Sequence, residues 1–301
     1  MAGKIKNRRF GDRRDGRRVK VTGMQSVMSA LFPKRTESEV HIYQTLDVTK
    51  VLEYIDKKNA EAGRDAKDEE RLKIFHCILM ILAKMVNERP LINRFVQGYR
   101  TYERDEISLS FVAKRRFGDH AEEALMVLVA EPKFTVDDIR SHIVGDVNEM
   151  RKSETAEDGL DHILDVVAKL PRPLFAGFVR TIRFLDFWGK VPKVLTDGDI
   201  NYTTILVTNL GSIELPAIYH HLNNYGTNSV MVSIGAIHKA EIITDEGEKV
   251  IRDVIELGAT VDERIADGFY FGRSLKLIKH MFEHPELLDE PLSTSSGYDY
   301  K

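Results

Sequence analysis

Apolar and polar side chains alternate over residues 39–47, with Val40, Ile42 and, less cleanly, Leu46 on one side, which predicts a half-buried strand. The pattern then changes period. Asp47-Val48-Thr49 opens a helix, and Val51, Leu52 and Ile55 fall on one of its faces. A polar stretch at 60–68 follows, then a predicted helix over 69–88 whose middle is apolar on every side. A helix without a polar face belongs in the centre of a core, and Pro90 ends it. Strands are predicted at 97–102 and 107–113, joined as a hairpin through Glu103-Arg104-Asp105-Glu106, and another at 123–130. Thr135-Val136-Asp137-Asp138 is a capped start for a helix reaching to residue 152.

Residues 160–195 predict an extra helical hairpin. Leu160, Ile163, Leu164, Val167 and Leu170 form one apolar stripe, Pro171 and Pro173 interrupt it, and a second runs from Leu174 to Trp188. Its aromatic and basic character fits packing on the domain, a hydrophobic partner surface or contact with a membrane interface. Strands are predicted at 203–208, 229–236 and 250–261, and a last helix at 269–283, stopping before Pro285. There is no internal repeat and no long low-complexity linker, so one α+β domain is the simplest account.

Composition narrows this little. The 301 residues are 43% hydrophobic and 30% charged, with a formal net charge of −3. That balance exerts no global pull toward nucleic acid or membrane, and neither is an expected partner. A single cysteine, Cys77, excludes an intrachain disulfide, and its apolar neighbours predict a buried, unreactive thiol. The basic start lacks the apolar stretch of a secretory signal, and no run approaches the roughly 18 apolar residues of a membrane span. A cytoplasmic setting is expected. The ten histidines show no metal-ligand spacing. Residues 1–20 read as a basic arm that is solvated, laid on a neighbouring subunit or bound to phosphate groups. Residues 21–290 read as the domain and 291–301 as a mobile tail.

Four stretches carry a resemblance. Val21-Thr22-Gly23-Met24, Arg89-Pro90-Leu91-Ile92-Asn93, Ile205-Leu206-Val207-Thr208-Asn209-Leu210-Gly211 and Asp262-Glu263-Arg264-Ile265-Ala266-Asp267-Gly268 occur in that order, and His284-Pro285-Glu286-Leu287-Leu288 follows the last helix. Together they resemble the catalytic domain of the 2-oxoacid dehydrogenase (dihydrolipoamide) acyltransferases and the wider chloramphenicol acetyltransferase-like superfamily. The resemblance implies a two-layer α+β fold, a mixed sheet with flanking helices. It also implies a homotrimer with sites between subunits, and coenzyme A or acyl-CoA as cofactor.

In that family a histidine takes the proton of a thiol, the thiolate attacks an acyl carbonyl, and a serine of the neighbouring subunit stabilises the oxyanion. Thr208 stands at the serine position, where it keeps a hydroxyl; as a bare strand residue it needs no such role. Asp267 stands at the aspartate that braces the loop, and Arg264 at a matching arginine that suits a salt bridge. Glu263 stands where the family has histidine. Deprotonating a thiol of pKa about 8.5 with a carboxylate near 4.3 rather than an imidazole near 6.5 costs roughly 3 kcal/mol more, about a hundredfold in rate.

The expected function is an acyl-CoA-dependent acyltransferase acting on a small thiol, hydroxyl or amine acceptor, stand-alone, with no lipoyl attachment. The alternative is an inactive trimeric scaffold or binding protein on the same fold. His220, His221 and His238 are candidate substitute bases; each also suits a surface or capping role.

Overall fold

The computed structural model describes residues 11–61, 70–114, 123–152, 167–243 and 247–300. The helix with no polar face is where its composition requires. Helix α3 (Ile74–Glu88) buries every residue from His76 to Val86. It begins later than the pattern suggests, because the Lys73 N–H donates to His76 Nδ1 and fixes the first turn. Around it pack α2 (Thr49–Glu61), α4 (Val136–Lys152) and α6 (Gly268–Glu283). Thr135 and Asp138 close the start of α4 through reciprocal bonds, the arrangement read from the sequence.

These helices cover one face of a seven-stranded mixed sheet. Its strands are β2 (Glu39–Asp47), β5 (Ile107–Lys114), β6 (Glu123–Ala130), β7 (Ile205–Asn209), β8 (Val230–Ile234), β9 (His238–Ile243) and β10 (Lys249–Asp262). The order is β2-β10-β8-β7-β5-β6, with β9 also paired to β10. The β5–β7 and β7–β8 pairs are parallel and the rest antiparallel. Alternation along the strands sends Ile205, Val207, Val232, Ile255, Leu257 and Val261 into the core. The α+β class and the mixed sheet with flanking helices match the expectation.

A second sheet, β1-β4-β3, holds β1 (Arg17–Arg18), β3 (Arg94–Gln97) and β4 (Arg100–Glu103). It corrects the predicted hairpin. The turn lies at Gly98-Tyr99, both with positive φ of 58° and 60°, whereas residues 103–106 carry the chain from β4 across to the larger sheet. Part of the basic arm is built into this layer. Arg13 is buried, pairs with Asp15 at 2.9 Å and Asp186 at 3.2 Å, and lies over the Phe95 ring. Residues 1–10 lie outside the described ones.

Of the predicted 160–195 hairpin, residues 160–166 lie outside the described residues. The second helix is present as α5 (Arg172–Phe187), anchored by buried Asp186, which also accepts from Gln97 and Tyr202. α1 (Gly23–Leu31) starts at Thr22, whose side chain caps it. The C-terminal stretch, read as mobile, is fastened: Lys84 Nζ donates to the Pro291 carbonyl, Glu88 accepts from Ser296 and Tyr300, and Leu292 is buried. Ser296 and Tyr300 answer the Glu88 carboxylate and the Pro291 and Thr294 carbonyls answer Lys84, both held on the central helix.

Candidate functional site

The 262–268 turn divides into a buried half and an exposed half. Asp262 ends β10 and is 0% exposed. Arg264 meets it through two bonds, Nε to Oδ1 at 2.8 Å and Nη2 to Oδ2 at 2.6 Å. Ser38 Oγ adds a third bond to Asp262, and Arg264 Nη1 reaches the Phe32 carbonyl at 2.7 Å. A bidentate pair with its remaining polar atoms satisfied is the geometry that makes burial of two charges tolerable. Between them Glu263 points outward and is exposed, its backbone N–H fixed to the Ser38 carbonyl at 3.0 Å. Asp267 accepts from the Tyr270 N–H at 2.8 Å and so caps α6.

Thr208 lies elsewhere. It is half-buried near the end of β7 and pairs in register with Ser233 of β8, which in turn pairs with Gly258 of β10. These positions share the sheet face turned away from the helices. The start of β7 aligns with the start of β8 and the end of β10, so Thr208 and Glu263 are at opposite ends of the strands. Five residues along β10 and two strands across put them roughly 20 Å apart in one chain. The structure does not bring these two predicted site residues together within a single subunit.

A strap formed by residues 214–221 crosses that open face. Gly235 and Gly258 make room for it: a Cβ on Gly235 would lie 2.6 Å from the Ala217 nitrogen, and one on Gly258 2.5 Å from the Ile218 carbonyl oxygen. Ser233 Oγ donates to the Ile218 carbonyl and accepts from its N–H. The Tyr219 ring then lies tilted against His41 at 5.0 Å, and His41 Nδ1 lies 3.1 Å from Thr260 Oγ1.

The candidate histidines fall apart. His220 and His221 are exposed neighbours at the strap's end, with no helix beneath them. His238 opens β9 rather than ending β8 and lies 3.7 Å from Glu256. His41, Tyr43, Tyr219 and Glu256 on this face escaped the sequence reading. The same alternation that buried Leu46 would have placed His41 and Tyr43 on the outer side of β2. Burial pushes the Cys77 thiol up to about 12, which removes it as a nucleophile. Among the described residues no group of three His, Cys, Asp or Glu side chains is arranged to hold a metal ion, and no helix is long and apolar enough to cross a membrane.

Residues 192–289, which contain Thr208 and the 262–268 turn, match the family model of the 2-oxoacid dehydrogenases acyltransferase catalytic domain. Across the whole chain, the structure of a probable dihydrolipoamide acetyltransferase from Listeria monocytogenes 4b F2365 superposes with a TM-score of 0.58 at 16% identity, covering 94% of this chain and 97% of that one. The fold is that of a dihydrolipoamide acyltransferase core. Dihydrolipoamide acetyltransferase of Azotobacter vinelandii gives the same TM-score at 12% identity over 90% of this chain and 94% of that one; its study concerns a serine, a histidine and an asparagine in the catalytic mechanism.

The lipoamide acyltransferase component of the branched-chain alpha-keto acid dehydrogenase complex of Bacillus subtilis (strain 168) is 22% identical over 272 residues. The match takes in 88% of this chain and 52% of that protein, so the chain spans about half the length of this curated relative. The acyltransferase resemblance first carried by four short stretches thus extends to a family-model match and to the full fold.

Proposed function

We propose that this protein is an acyltransferase of the 2-oxoacid dehydrogenase type that works as a homotrimer, with each site built by two subunits. The observation that carries the reading is the separation of Glu263 from Thr208. Both occupy family positions, and at roughly 20 Å neither can reach the other's reacting atom, where about 3 Å is required. Two copies of the chain facing each other answer that requirement. Coenzyme A or another thiol would lie between them. The Glu263 carboxylate takes the thiol proton and the sulfur attacks the acyl carbonyl carbon. The Thr208 hydroxyl of the neighbouring subunit donates to the oxyanion. Collapse expels the donor thiolate, which recovers the proton. Asp262 and Arg264 keep the turn rigid while Glu263 projects.

The test is release of coenzyme A from acetyl-CoA and longer acyl-CoAs, followed by chromatography in the presence of small thiol, hydroxyl and amine acceptors, together with sedimentation of the protein. A trimer whose turnover falls at least tenfold in Glu263→Gln supports the reading. A folded monomer without turnover or coenzyme A binding overturns it. One observation favours a second reading. The Glu263 side chain is exposed and makes no hydrogen bond among the described residues, an arrangement that also suits a non-catalytic trimeric binding protein. A trimer that binds coenzyme A without turning over acyl-CoA would select it.

A further inference from the structure

One cavity of about 130 Å³ is lined by Lys34, Arg35 and Arg264 and by no carboxylate. It has room for roughly four waters, or one small oxyanion. Its cations are unequally compensated. Arg264 is bound to Asp262, and Lys34 meets Glu37 at 2.9 Å. Arg35 is 2% exposed, and its hydrogen bonds go to three neutral oxygens: the Asn223 and Val96 carbonyls and Gln97 Oε1. Its Nε has no partner. A buried guanidinium normally sits against a carboxylate. Burial instead pushes Arg35 down to about 10.

The walls are rigid. The β3–β4 turn closes one side, with Tyr99 held at φ 60°, a left-handed conformation that a bulky residue rarely adopts, and edge-on to Phe187 at 5.5 Å. Gly98 lies so close to the Phe187 carbonyl that any side chain there would collide with it. Backbone strain beside a cavity is a recurrent mark of ligand sites. The amides of Gln97 and Asn224 also line the cavity.

We infer that this cavity is a binding site for a small oxyanion, a phosphate or carboxylate group, which gives Arg35 an anionic hydrogen-bond partner where Asp262 and Asp186 act on it only through space. The inference stands apart from acyl transfer, since it uses neither Glu263 nor Thr208. The test is isothermal titration of the full chain with inorganic phosphate and, separately, succinate, at low and high salt. Saturable binding of either that weakens with salt, and falls about tenfold or more in Arg35→Gln, is the expected result. Phosphate alone would assign the phosphate source and succinate alone the carboxylate source. Lys34→Met guards against misfolding, because Lys34 is 62% exposed; it is expected to stay folded and bind more weakly. Absence of saturable binding of both anions to folded wild-type protein overturns the inference, as does affinity unchanged in both variants.

Discussion

The two faces of the seven-stranded sheet are made by the same strands. On β10, Ile255, Leu257 and Val261 face the helices and are buried, while Glu256, Gly258 and Thr260 alternate with them on the other side. The inner face is closed by helices of this chain. The outer face holds Thr208, His41 and Tyr43, is crossed by the 214–221 strap and, at Ser110, by residues 200–203, and leaves Val112, Leu125 and Val129 exposed. The difference teaches that the two-residue period of the strand separates a packed face from one left open for other contacts. Large apolar side chains left open beside polar groups mark a surface finished by a partner.

The largest test of that separation is the Asp262–Arg264 pair, which closes the far end of β10. Arg264→Ala is expected to lose about 3–5 kcal/mol in a denaturant titration, because it leaves a buried carboxylate unpaired. A loss below 1 kcal/mol would mean that the pair is not a structural clamp. The next test concerns the inner side. Burial holds His76 down to about 4, from 6.5. The unfolded chain therefore binds a proton that the folded chain refuses, and stability falls as pH drops from about 6.5 toward 4, by up to roughly 3 kcal/mol. His76→Gln, which keeps an acceptor for the Lys73 N–H, is expected to flatten that part of a stability–pH curve.

At the turn after β10, Glu263→His is expected to raise thiol-dependent acyl transfer by about a hundredfold at neutral pH with an unchanged unfolding midpoint. Acyl-CoA turnover that does not rise would detach the turn from the reaction. The smallest effect is expected at Leu125→Ser. The folded chain should change by less than about 0.5 kcal/mol, while sedimentation shows weaker association of the proposed trimer.

Elements governed by local pattern were legible. β2 has the bounds that its alternation predicts, α3 is buried because it offers no polar face, and Thr135 caps the helix it precedes. What sequence reading missed depends on distant partners. Nothing in Arg17-Arg18 signals a strand until β4 is beside it, and nothing near Arg13 announces Asp186. The Gly98-Tyr99 turn lacks the Asn-Gly or Asp-Gly pair that usually marks a two-residue hairpin. The candidate site residues were named from the 262–268 turn and from Thr208, whereas their separation within one chain follows from the parallel pairing of β7 with β8.

The strand order also governs the order of assembly. β2 is made early, yet its neighbour is β10, and the register runs from Val254 opposite Asp47 to Asp262 opposite Glu39. A nascent chain therefore carries β2 with an unpaired edge until almost all of the sequence has been synthesised. Loop closure over that span is slow, and the open strand is a template for wrong pairing meanwhile. Refolding is expected to be limited by the arrival of β10, and fragments ending before residue 249 are expected to aggregate rather than fold.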